Sequence, residues 1–206
     1  MKMNDFLLFF DASIPQLEKQ NRWATASRVV FQKWKDNPDN LNYLICAGTQ
    51  LWYTLLVTDY YKNAPTVPEN IELPDKFWLQ DRLMEVTRYG FEVFENHAAF
   101  NAYFGYMIKA MPYFFLNHED DYVGWQSKGV IMMRRSYDIA PNSPFTKAMC
   151  LEQDSSCLGS AYYLACMDIW STISLEQWGK TAVQQYFFRV LNGDLFYGSS
   201  FTTKYN

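Results

Sequence analysis

Between Leu41 and Leu56 the apolar positions fall at Leu41, Leu44, Ile45, Gly48, Leu51, Trp52, Leu55 and Leu56. This three-and-four spacing returns to one face at every turn of an α-helix, whereas the faces of a strand alternate with a period of two. Asp36-Asn37-Pro38-Asp39-Asn40, just before it, supplies residues that end one helix and cap the next. The same period runs upstream through Leu17, Ala24, Ser27, Val30, Phe31 and Trp34. Ser13-Ile14-Pro15 opens that helix, with a capping hydroxyl and a proline in the first turn, and it is predicted to extend to Lys35.

Further helices are predicted at Asp75 to Glu95, with Phe77, Leu79, Leu83, Val86, Phe91 and Phe94 inward, and at Ala98 to Phe115, where Pro112 kinks or shortens the last turn. Others follow at Tyr122 to Ile139, Phe145 to Gln153, Ser156 to Trp170 and Ser174 to Val190. Leu195 to Phe201 reads as a short extended tail, and no alternating run is long enough for a sheet. Tyr60 to Pro74, with Pro65, Pro68 and Pro74 and few periodic apolar residues, reads as a long ordered loop suited to interaction. The fold class is all-α, built of stacked helical hairpins. Nothing in the middle reads as a linker, so residues 1–206 are expected to form a single helical domain.

A chain of 206 residues that is 49% hydrophobic can hide roughly 70% of its unfolded surface. Seven Trp, fifteen Tyr and sixteen Phe either fill wide spaces between helices or wait at the surface for a partner. Leu41 to Val57 and Ala98 to Leu116 are apolar enough to be weighed as membrane spans. The first carries Asn42, Thr49, Gln50 and Thr54, the second Asn101, Lys109 and Pro112, and both fall short of about 20 clean apolar residues. Both are expected to be buried helices.

Pro38 and Pro141 sit in similar junctions, Asn37-Pro38-Asp39-Asn40 and Ala140-Pro141-Asn142-Ser143, separated by close to three times the roughly 34 residues of a tetratricopeptide repeat, with Pro74 and Pro112 near the intermediate steps. The Trp, Gly, Tyr and Ala pattern of that repeat is not legible. The stack is therefore tetratricopeptide-like, a superhelix or bundle of hairpins.

Chemistry is sparse. His97 and His118 stand beside acidic or amide residues at helix ends, and no second imidazole lies at a metal-ligand spacing. His118 with Glu119, Asp120 and Asp121 is too contiguous to converge on an ion. Phosphate-cradling glycine loops and nucleophile elbows are missing from the sequence. Cys46, Cys150, Cys157 and Cys166 form no C-x-x-C pair and read as packed, reduced thiols. Phe6 to Phe10 is shorter than the roughly 7 to 15 apolar residues of a signal peptide. The expectation is a cytoplasmic protein that is not an enzyme and takes no metal or cofactor.

A formal charge of −4 argues against nucleic acid and favours a basic partner. Carboxylates and rings gather at loops: Asp59-Tyr60-Tyr61, Glu69 and Glu72, and Glu119-Asp120-Asp121-Tyr122 followed by Trp125. Rings that bury area beside acids that meet basic groups suit a protein interface, and these ten residues are the candidate partner-binding set. A plain solvated surface is the competing reading.

Phe104-Gly105-Tyr106-Met107-Ile108-Lys109-Ala110-Met111-Pro112-Tyr113-Phe114-Phe115, followed by an acidic turn, a helix and Ala140-Pro141-Asn142-Ser143-Pro144, resembles segments of bacterial immunity proteins of contact-dependent growth inhibition systems. The resemblance implies a protein without turnover that binds the C-terminal domain of a cognate toxin, often an RNA-cleaving nuclease, and covers its active site. A helical-repeat scaffold or regulator holding a protein or peptide segment in its groove is the alternative.

Overall fold

Three four-residue turns organise the chain, at 37–40, 94–97 and 140–143. In each, the last amide donates back to the first carbonyl: Asn40 to Asn37 at 3.1 Å, His97 to Phe94 at 2.9 Å and Ser143 to Ala140 at 3.0 Å. The computed structural model describes residues 10–116, 121–151, 165–166, 168–169 and 180–192. Among them the α-helices are α1 (Ile14–Lys19), α2 (Trp23–Asp36), α3 (Leu41–Asn63), α4 (Lys76–Val93), α5 (Ala98–Ala110), α6 (Tyr122–Ile139), α7 (Pro144–Leu151) and α8 (Ala182–Asn192), with a 3₁₀ turn at Pro112–Phe114 and no strand. The fold is all-α, and the turns join α2 to α3, α4 to α5 and α6 to α7 as three hairpins.

Because the turns begin at 37, 94 and 140, the hairpins do not follow a register of about 34 residues. Pro74 and Pro112 mark the connections between hairpins: Pro74 precedes the Asp75 cap of α4, and Pro112 opens the 3₁₀ turn that ends the α5 stretch. In the first turn Asn40 caps α3, its side-chain oxygen accepting from the amides of Asn42 at 3.0 Å and Tyr43 at 3.3 Å. Asn40→Ala is expected to cost about 1 kcal/mol in urea denaturation, the usual effect of losing such a cap.

Every residue of α5 from Ala98 to Ile108 is buried. A helix apolar all round belongs in the middle of a domain, and α5 lies against α3, α6 and α7, most extensively against α6. The burial of α5 accounts for the apolar character of its sequence, and no helix among the described residues is long and apolar enough to cross a membrane. Some core polar side chains pair across helices: Ser27 meets Thr54 at 3.0 Å between α2 and α3, and Ser136 of α6 donates to the carbonyl of Ala98 at 2.8 Å.

Some predicted boundaries are corrected. The helix expected from Ser13 to Lys35 breaks at 20–22, where Asn21 takes a left-handed φ of 57°. Asparagine is the non-glycine residue that best tolerates this conformation after a helix end. The break is held from afar, because Glu72 N–H donates to the Asn21 carbonyl at 2.8 Å and Ala24 N–H donates to the Glu72 carbonyl at 2.9 Å. Tyr60 and Tyr61 belong to the last turns of α3, so the loop begins only after Asn63. Of the helix expected from Ser174 to Val190, residues 174–179 lie outside the described residues, 180–181 form a bend, and α8 starts at Ala182. Residues 156–164 and the tail at Leu195 to Phe201 lie outside the described residues, while 165–166 and 168–169 are helical.

Candidate partner-binding surface

The hairpin turns all lie at one end of the stack. The other end is built from the last turns of α3, the 64–75 loop, the first turn of α4, the 3₁₀ turn and the first turn of α6. Lys76 ties this end together. Its ammonium donates to Asp59 at 2.7 Å and stands 6.0 Å from the ring centre of Phe114. The adjacent Tyr113 is pushed above the usual phenol range, chiefly by burial and then by the nearby Asp59 and by Tyr122. Asp59 and Tyr122, 63 positions apart in a hairpin-linked chain, thus converge on one tyrosine.

Asp121 caps α6, accepting from the amides of Val123 at 3.0 Å and Gly124 at 2.9 Å. Trp125, one turn on, is half-buried and stacks on Phe115 with ring centres 5.9 Å apart and planes 21° apart. Lys128 lies over both Trp125, at 4.9 Å, and Phe91, at 3.8 Å. Trp125 therefore anchors α6 to its neighbours more than it reaches outward. Tyr60 projects from α3 and packs edge-on against Tyr61 at 5.2 Å.

The acids of the candidate set have mostly local duties. Asp59 holds Lys76, Asp121 holds the start of α6, and the Glu72 carboxylate accepts from Arg22 at 3.3 Å and from the Thr25 hydroxyl at 2.9 Å. Glu69 is exposed in the loop. Glu119 and Asp120 lie outside the described residues, as does His118.

The rings distinguish this end more sharply than the acids do. Among the described residues the exposed aromatic side chains are Phe77 (81% exposed), Tyr60 (56%), Tyr122 (45%) and Tyr113 (38%), and all four sit here. The large exposed apolar residues nearest the hairpin-turn end are the aliphatics Val93 and Ile139. Phe77 corrects its sequence assignment to the inward face. Leu79, Leu83 and Val86 are buried, and a residue two positions before Leu79 is turned about 200° from it around the helix. That phase argument was available in the sequence; Tyr113, in a 3₁₀ turn, offered no comparable signal.

Compared with known protein families, curated proteins and solved structures, the chain has no match. Its surface must therefore speak for its role. His97 stands at the N-cap position of α5, exposed and edge-on to Phe94 at 5.7 Å. Cys46 and Cys166 are buried, and burial raises the thiol of the half-buried Cys150 above its ordinary value, away from the reactive thiolate. Among the described residues, no group of three or more His, Cys, Asp and Glu is placed to hold a metal ion.

Proposed function

We propose that this protein is an immunity protein that binds a cognate toxin domain, an RNA-cleaving nuclease, and occludes its active site with the end formed by Tyr60, Phe77, Tyr113 and Tyr122. The observation that carries this reading is the segregation of the exposed rings to that one end. Rings bury much area at little entropic cost and are enriched at the energetic centres of interfaces. A nuclease holds a phosphate backbone and so presents basic groups around its active site. The chain's net charge of −4 then acts as a long-range steering field, with the rings supplying the contact.

The test mixes the purified chain with the toxin domain encoded beside it. Binding at nanomolar concentration and loss of RNA cleavage in proportion to complex formed are expected, with association slowing as salt screens the steering field. A toxin domain that remains unbound and fully active with the protein in excess rules the reading out and leaves the scaffold alternative.

A further inference from the structure

Glu18 is the only acidic or basic residue buried among the described residues. It sits in the last turn of α1 and reaches two other elements. One carboxylate oxygen accepts from the Gln50 side chain of α3 at 3.2 Å, and the other accepts from the backbone N–H of Ala182, the first residue of α8, at 2.7 Å. No Lys or Arg pairs with it among the described residues. The Gln50 carbonyl oxygen is also buried and has no hydrogen-bond partner.

The start of α8 carries a cap of its own. Thr181 Oγ1 accepts from the Gln184 amide at 3.1 Å, and Gln184 Oε1 accepts from the amides of Thr181 at 2.9 Å and Lys180 at 3.1 Å. Rings of α8 also meet the core. Tyr186 meets Trp52 at 5.3 Å and the Tyr106 hydroxyl at 3.0 Å, and Phe187 packs on Tyr103 at 4.9 Å. Glu18 is thus a polar point at which α1, α3 and the start of α8 meet.

We propose that Glu18 is a proton-dependent clasp: protonated, it fastens α1 and α8 to α3, and ionised, it lets α8 lift from the ring floor around Trp52 while the three hairpins stay folded. A neutral carboxyl has both an acceptor and a hydroxyl, and the unpartnered Gln50 oxygen is an acceptor for that hydroxyl once the amide turns. An ionised carboxylate keeps two donors but has no cation to offset its removal from water. Burial dominates, raising the pKa from 4.5 to about 7 against the smaller opposing pull of the Ala182 and Gln50 hydrogen bonds.

Among the described residues, the charged and titratable groups of the surrounding elements do not meet the carboxylate. On α1, Lys19 is exposed; before and along α2, Arg22 pairs with Glu72, Arg28 lies over Trp78 and Lys33 pairs with Asp11. Cys46 and Tyr53 of α3 and Tyr186 of α8 lie about one turn from the contact points, and Lys180 before α8 is exposed. The sign follows from linkage. The docked state binds the proton more tightly than the undocked one, so docking is strongest below 4.5, weakens as pH rises through the interval to about 7, and is level above it.

Hydrogen exchange of the full chain, corrected for intrinsic rates, tests the clasp. Between about pH 5 and about pH 7.5 the amides of α8 should lose protection by roughly tenfold or more while those of α5 hold theirs. Glu18→Gln should flatten the α8 profile. Constant α8 protection in the wild type, loss in parallel with α5, or a wild-type slope in Glu18→Gln each overturns the proposal. Should that variant not fold, the ¹³C shift of the wild-type Glu18 carboxyl decides: a midpoint near 7 supports the clasp, and one near 4.5 removes it.

Discussion

Replacing Gly129 with valine is expected to remove about 3 kcal/mol of stability, because overpacking a tight site costs that much when nothing nearby can give way. A Cβ at Gly129 would stand 2.5 Å from the backbone nitrogen of Lys109 and 2.7 Å from the carbonyl oxygen of Gly105. Both belong to α5, so neither can rotate aside, and α6 must move off the helix at the centre of the fold. Intrinsic helix propensity pushes the other way, since leaving glycine gains up to about 1 kcal/mol in a helix interior. The sign of even Gly129→Ala therefore separates the two effects, and a loss is expected. Gly124→Ala is the comparison: an added Cβ there meets only the Asp121 side chain, at 3.0 Å. Urea denaturation of the three variants provides the measurement. A Gly129→Val midpoint equal to wild type would mean that α5 and α6 do not approach through this glycine.

That close approach was not legible in the sequence, where Gly105 and Gly129 are merely two small residues in predicted helices. Their consequence exists only when the helices are brought together. By contrast, the Leu41 to Leu56 pattern contained its own answer, because helical phase is set locally, and the structure extends that helix to Asn63. The failures have the same cause in reverse. Asn21 breaks a helix whose periodicity continues on either side, and the carbonyl that secures the break comes from Glu72 in a distant loop. Glu72 and Asp59 looked available to a partner until Arg22 and Lys76, far along the chain, were found beside them. Glu18 gave no signal at all, since its burial depends on α8 closing over it.

Of the four exposed rings at this end, the sequence reading named Tyr60 and Tyr122 and missed Phe77 and Tyr113. This defines the last and most consequential expectation: Phe77→Ala, Tyr113→Ala and Tyr122→Ala combined should weaken toxin-domain binding by about a thousandfold. Truncating an interface ring that is buried on binding costs about 2 kcal/mol, roughly thirtyfold, and neighbouring losses overlap instead of adding fully. The fold should tolerate the change, as substitutions at exposed positions usually alter stability by no more than about 0.5 kcal/mol each. Titration calorimetry and residual RNA cleavage report binding, and thermal unfolding of the free variant reports the fold. Val93→Ala with Ile139→Ala, nearer the opposite end, should leave binding unchanged. If that pair abolishes binding and the ring variant does not, the partner sits on the hairpin turns, and the exposed rings answer to something else.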